Sequence, residues 1–272
     1  MHIFHKDVIY LIFTKKYIEH IMIDSLILSK EFGADEAIED NPINRYQKQN
    51  DAIKSSISSQ TISSPTNAIT STRKLASECN NIDQLRKAVE SFDGISITKT
   101  ATNTVFSDGQ ADAEIMLVGE APGAEEDAQA IPFCGASGQM LDSMLAYIGL
   151  SRKTNFYITN TLFWRPPGNR RPTAEELAIC LPFVEKHIAL IKPKLIILVG
   201  STAATALVDS KKGITQLRGQ YFDYKNEYID APIKTTAIFH PSYLLRSPGQ
   251  KQHAWQDCLK IRQYIKDNNI KM

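Results

Sequence analysis

GEAPGAEEDAQAIPFCGASGQMLDSML, residues 119–145, is the stretch from which the chain is best read. Residues 113–118 just before it form an apolar run with the length and β-branched content of a buried strand, and the run stops at Gly119. Pro122-Gly123 then breaks the chain. Beyond Gly135-Ala136-Ser137-Gly138, apolar residues recur at helical spacing: Met140, Leu141, Met144, Leu145 and Ile148. The order is strand, long polar loop, helix. In an open α/β sheet such a loop lies over the carboxyl ends of the strands, where ligands bind. This loop carries four acids (Glu120, Glu125, Glu126, Asp127) and one large aromatic, Phe133. A solvated loop with helix-start carboxylates covers Glu125 and Asp127. It accounts less well for Glu120, set between two glycine-containing turns at a strand end.

Outward from this unit the same alternation continues. Residues 155–159 read as a second strand ending at Asn160, followed by LFWRPPGNRRPT, a loop with three prolines and three arginines. Thr173 is placed to cap the next helix, with Glu175 and Glu176 in its first turn. Leu177, Cys180, Phe183, Val184, His187 and Ile188 give that helix an apolar face. Leu195–Val199 is a third strand, followed by Gly200-Ser201-Thr202 and an alanine-rich helix. Residues 235–239 are a fourth strand, ending at His240-Pro241. A last helix runs through Trp255 and Leu259 to Tyr264. Upstream, Asn81 caps a helix with Ile82, Leu85, Val89 and Phe92 at helical spacing. Residues 104–106 and then Ser107-Asp108-Gly109 suggest a short strand and turn. Strands alternating with helices predict a parallel sheet with helices on both faces.

The remaining sequence sets bounds. At 272 residues the chain can bury one core of ordinary size. Its 31 basic and 30 acidic residues leave a net charge of +1, so any basic footprint must be local. Cys79, Cys134, Cys180 and Cys258 are widely spaced, which is not a disulfide framework and points to a reduced cytoplasm. Residues 3–28 are apolar, but charges interrupt them too often for a bilayer span, and no signal-peptide cleavage site follows. Met22 offers a second start, which makes residues 1–21 an upstream extension. From Met22 the chain reads as one short amphipathic helix closing near Gly33. The expected layout is an N-terminal helical segment (1–40), a disordered Ser/Thr-rich linker (41–77) and one folded domain (78–270).

Glu120, Asn160 and His240 each follow a strand, and Phe133 lies in the first loop. Singly, each has a plain structural explanation: Asn favours turns, a histidine before proline serves a loop, and Phe133 fills a core. Together on one rim they make a pocket with an aromatic face, an amide, an imidazole and a carboxylate. That set suits a planar heterocycle. The flanking loops hold Arg165, Arg170 and Arg171, and, in HPSYLLRSPGQKQHAW, Leu244 and Leu245 beside Arg246 and Lys251. Arginines reach phosphates, and an exposed apolar pair beside cations can wedge a base stack. The competing reading buries Tyr243 and Leu245 and leaves only Arg246 exposed.

GEAPGxxED, PFxGxxGQxLD, YITN, RPPGNRxPT and HPSYLLR, in that order, strongly resemble the type-four uracil-DNA glycosylase family. The resemblance covers roughly residues 95–264. It implies a three-layer α/β/α sandwich around a four-stranded parallel sheet, and hydrolysis of the N-glycosidic bond of uracil in DNA to open base-excision repair. It matches Glu120 to the acid of the first motif, Glu126 to a second pocket acid and Phe133 to the stacking aromatic. It matches Asn160 to the reader of the uracil edge and His240 to the histidine that contacts uracil O2. The implied partner is uracil-containing DNA, single- or double-stranded, bound by a monomer.

One departure stands out. The family carries a four-iron, four-sulfur cluster on four cysteines. Here Cys180 matches the fourth ligand, but Trp164, Phe92 and Ile95 stand at the other three positions, so no cluster is expected. Two related readings stay open: a glycosylase for another deaminated base such as hypoxanthine, and a damaged-DNA binder without hydrolysis. A nucleotide-binding module is disfavoured, since neither GxGxxG nor GxxxxGK[ST] occurs.

Overall fold

The computed structural model describes residues 65–208, 210 and 212–272. The 1–40 segment and most of the 41–77 stretch lie outside them. The described chain begins with helices α1 (Pro65–Glu78) and α2 (Ile82–Glu90). Strand β1 (Asp108–Gly109) and strand β2 (Ile115–Gly119) lead to helices α3 (Ala124–Gln129) and α4 (Ala136–Ala146). Strand β3 (Tyr157–Asn160) is followed by α5 (Ala174–Ile191), and β4 (Leu195–Val199) by α6 (Ser201–Leu207) and α7 (Ile214–Leu217). Strands β5 (Tyr221–Tyr224) and β6 (Ile233–Ile238) precede α8 (Pro241–Arg246) and α9 (Lys251–Asp267). None of these helices is long and apolar enough to cross a membrane.

The six strands form one sheet in the order β1-β3-β2-β4-β6-β5. The central four are parallel, as expected, with Leu117 opposite Ile158 and Ile197, and Leu198 opposite Ala237. Two antiparallel edges extend this core. Residues 104–106 do not pair as a strand: Val105 N–H donates to Phe163 O beyond β3, and the ladder forms later, at β1. The sequence reading also missed β5, a half-exposed edge strand whose pairing with β6 is what makes it a strand.

Side chains on the central strands alternate between two cores, as a pleat requires. Met116, Val118, Ile196 and Leu198 face α1, α2 and α5. Ile115, Leu117, Ile158, Ile197 and Val199 face α4 and α9. The result is a three-layer α/β/α sandwich. Asn81 and Thr173 cap α2 and α5 as expected, and Glu176 closes a capping box with Thr173.

The expected disorder of 41–77 does not extend over its last part, where α1 is a helix. Ala68, Thr72 and Ala76 are 3%, 0% and 0% exposed. They recur every four residues, so α1 packs through a stripe of small side chains. Such a stripe has little apolar bulk, so composition reads it as a linker. It permits close helix approach, so the fold uses it as packing.

Candidate nucleobase pocket

The sheet's topology fixes where the pocket opens. The chain leaves β2 for β3 on one side and leaves β4 for β6 on the other, so the crevice between the carboxyl ends of β2 and β4 is the switch point. Glu120 follows β2, and Thr202 stands in the first turn of α6 after β4. Thr202 Oγ1 donates to Glu120 Oε2 at 2.5 Å, a bond that spans the crevice. Thr161 Oγ1 and Leu162 N–H donate to the Glu120 carbonyl, fixing its backbone. No sequence signal singled out Thr202.

A cleft of about 820 Å³ opens here, lined among others by Glu120, Glu126, Phe133, Asn160, His240 and Tyr243. Arg170, Arg171 and Arg246 also border it. Asn160 ends β3 at 1% exposure, and its Oδ1 has no hydrogen-bond partner among the described residues. A buried acceptor left open in a pocket is costly, so it calls for a donor from a ligand. Phe133 is 6% exposed and its ring lies 5.8 Å from that of His240. Gly119 lies beneath both: a Cβ there would collide with Asn160 Oδ1 and with the Phe133 ring.

Phe133 sits at φ +54°, a left-handed backbone that a non-glycine residue adopts only when its surroundings hold it. Arg152 supplies the hold. Its guanidinium donates to Pro132 O and Phe133 O, both at 2.9 Å, and pairs with Asp108 and Asp142, both at 3.0 Å. The loop's other brace is Glu126. Its Oε2 accepts from Gly123 N–H at 3.0 Å and its Oε1 from Gly135 N–H at 2.9 Å. Each Glu126 oxygen thus accepts one backbone N–H, whereas among the described residues the side chain of Glu120 has a single partner, Thr202. Asp127 is likewise taken up, accepting from Thr102 and Asn103 N–H.

His240 is the N-cap of α8, and its Nδ1 accepts from Ser242 N–H at 3.2 Å. Ser242 Oγ also lies 2.8 Å from Nδ1, and with Nδ1 accepting from the backbone this arrangement suits the tautomer that carries its proton on Nε2. Burial, with Arg246 adding to it, pulls His240 below the usual histidine range, while Glu120 and Glu126 oppose. Gly200 makes room for this side chain: at φ +97° its missing Cβ would stand 2.9 Å from His240 Cβ.

The flanking loops differ from expectation. Leu244 is 0% exposed and packs with Phe239 and Ala254, so it belongs to the core; Leu245 alone is exposed, at 47%. Neither expected outcome held as stated, because successive residues of a helix point about 100° apart. Arg165 bonds Asn169 and lies 3.9 Å from Asp127. Arg170 grips Glu176 with both terminal nitrogens and so anchors its loop to the start of α5. Arg171, Arg246 and Lys251 are exposed, with no ion-pair partner among the described residues. Lys251 starts α9 and does not line the cleft.

The four positions matched to cluster ligands lie in one apolar core. Phe92, Ile95, Trp164 and Cys180 are 7%, 7%, 3% and 0% exposed. Phe92 packs against Trp164 and edge-on against Phe183, with centroids 6.1 Å and 5.6 Å apart. Trp164 Nε1–H donates to Thr104 Oγ1. Burial pushes the Cys180 thiol up, away from the thiolate that binds iron. Among the described residues no three His, Cys, Asp or Glu side chains group to hold a metal. This donor set does not fit a four-thiolate cluster.

Fold and rim together define an α/β protein with a polar and aromatic cleft at the carboxyl ends of its central strands. The chain belongs to the Uracil DNA glycosylase superfamily, whose sequence model matches residues 106–259, more than half of its length. It is similar to the Type-4 uracil-DNA glycosylase of Thermotoga maritima, 39% identical over 168 residues, which cover 61% of this chain and 84% of that protein. The Archaeoglobus fulgidus protein of the same name is 36% identical over 185 residues, 66% of this chain and 92% of the relative. That of Sulfurisphaera tokodaii is 33% identical over 189 residues, 68% and 84% of the two chains.

Proposed function

We propose that this chain hydrolyses the N-glycosidic bond of uracil in DNA, acting on single- and double-stranded substrate as a monomer. The observation that carries the reading is the open Oδ1 of Asn160 in the cleft. Uracil offers an N–H donor beside a carbonyl acceptor, and a carboxamide meets both. Cytosine offers an acceptor where uracil has its N–H and an amine where uracil has its carbonyl, leaving buried groups unpaired. The base leaves its stack to enter, lies on Phe133, and Leu245 fills the gap it leaves in the duplex.

As the bond breaks, the base takes up the electron pair and the sugar gains cationic character. The Nε2–H of neutral His240 is poised to donate to the developing anion at O2, with no proton to be supplied first. Glu120, oriented by Thr202, stabilises the sugar cation or orders the attacking water. Glu126 serves by holding the loop, since each of its oxygens accepts a backbone N–H. A second base such as hypoxanthine has no specific support in the pocket.

The chain also works without an iron–sulfur cluster on this reading, with Phe92, Ile95 and Trp164 filling that region by packing. The test is direct. Purified protein is incubated with oligonucleotides bearing single uracil, hypoxanthine or mismatched thymine, and abasic sites are cleaved with alkali. Cleavage at uracil is expected; none above background from folded protein defeats the proposal. Anaerobically purified protein should show no absorbance near about 400 nm and no stoichiometric iron. About four irons per chain would overturn the assignment of those positions.

A further inference from the structure

A second aromatic feature lies outside the pocket. Tyr147, just after α4, is 76% exposed, and Trp255, in the second turn of α9, is 41% exposed. Their rings meet edge to face, with centroids 6.0 Å apart and planes at 88°. An edge-to-face pair leaves ring surface open to solvent. The residues that seat α9 are others: Ala254, Asp257, Cys258, Ile261 and Ile265. Leu259, one turn beyond Trp255, is also exposed. At helical spacing, Lys251, Trp255, Leu259 and Arg262 fall along one stripe.

Along α9 the exposed charge of this stripe has one sign. Between Lys251 and Arg262 the exposed ionisable groups of α9 are Lys251, His253, Lys260 and Arg262. The single acid in that span, Asp257, is 1% exposed and paired with Arg218 at 2.8 Å. A second copy of the chain docking on this face would bring these cations against their own kind. A nucleic-acid strand supplies what the surface lacks, flat π-faces for the rings and phosphates for the cations. The surface also continues the rim of the cleft. Leu245 and Arg246 end α8, Pro248–Gln250 form one short turn, and Lys251 begins α9. Met140 and Met144 of α4 join Leu244 and Ala254 in one small core, which sets Tyr147 beside this junction.

We propose that Tyr147 and Trp255 form a stacking platform for the DNA strand flanking the extruded nucleotide. The platform takes from the functional reading only that the polymer is DNA. Trp255 reports on it directly, because the other tryptophan, Trp164, is 3% exposed. The full chain carrying Trp164→Phe is titrated with uracil-free oligothymidylate of about 5–20 nucleotides. Saturable quenching of Trp255 emission is expected. In the unsubstituted background, Trp255→Ala and Tyr147→Ala should each weaken binding of a labelled oligonucleotide by about 5- to 100-fold, read by anisotropy. Uracil excision from an oligonucleotide of only a few residues should be unchanged in both. Binding with unquenched Trp255, or affinity unchanged in both alanine variants, overturns the platform. So does a doubling of mass with protein concentration that shields Trp255, which would assign the face to a second copy. Quenching without excision would keep the platform and defeat the glycosylase reading; excision without quenching would do the reverse.

Discussion

Asn160 shows how much one side chain owes to its neighbours. In the sequence it is a residue after a strand, and turn chemistry alone explains it. In the fold, Gly119 leaves it room, burial removes water, and its Oδ1 is left without a hydrogen-bond partner among the described residues. Replacing it with Ala, or with Asp, removes the donor–acceptor pair. The expected loss is about 2–5 kcal/mol of transition-state stabilisation, roughly 30- to 5,000-fold in kcat/KM on uracil DNA. Steady-state kinetics on a single-uracil oligonucleotide measures it, and unchanged turnover would return Asn160 to a strand terminator. The different partners of Glu120 and Glu126 were likewise not legible in the loop, where both are acids on one polar stretch. In the fold Glu126 accepts from two backbone N–H groups, whereas Glu120 meets Thr202 across the crevice.

At the scale of elements, two predictions change once the packing is seen. Deleting residues 1–60 should leave excision and folding intact, since all lining residues of the cleft lie later. Deleting 1–77 removes α1 and uncovers the face of α5 it packs on. That truncation should cost about 2–5 kcal/mol of stability by urea unfolding, the cost of opening an apolar face and losing its small-residue contacts. Equal stability of the two truncations would mean α1 contributes nothing. The loops carry the other prediction. Five cations suggest themselves in the sequence as phosphate ligands, but Arg165 and Arg170 are engaged within the protein. With Arg171, Arg246 and Lys251 remaining, about two to three phosphates are neutralised, and log affinity should fall with log salt at a slope of roughly −2 to −3. A slope near zero would place these side chains away from DNA.

At the scale of the whole molecule, a buried histidine outside the cleft couples stability to pH. His187 is 0% exposed, stacked on Phe106 with centroids 4.5 Å apart and hydrogen-bonded to Tyr157 OH at 2.8 Å. Burial, with Arg86 adding to it, pulls its pKa down to about 3. The folded protein therefore holds it neutral where the unfolded chain binds a proton. The sign follows: stability is complete above the ordinary histidine pKa and falls as pH drops below about 6.5, by about 1.4 kcal/mol per pH unit from this residue. Denaturant unfolding between about pH 4 and 7 tests it, with His187→Phe expected to remove that part of the slope. An unchanged slope in the variant would refute the assignment.

The local sequence by itself determined the repeating strand–loop–helix units, the caps at Asn81 and Thr173, and the polar residues that end the central strands. These follow from periodicity and turn chemistry, which act over a few residues. Its ordered motifs also indicated the family. Which side chains are free to act was decided only by tertiary structure. Leu244 and Leu245 are neighbours of identical chemistry, yet one is core and the other surface. Arg170 and Arg171 are adjacent, yet only the first meets Glu176. The α1 stripe of Ala68, Thr72 and Ala76 is a helix face only because α5 lies against it. Hydrogen-bond commitments and burial are pairwise properties of distant segments, and no local pattern encodes the partner.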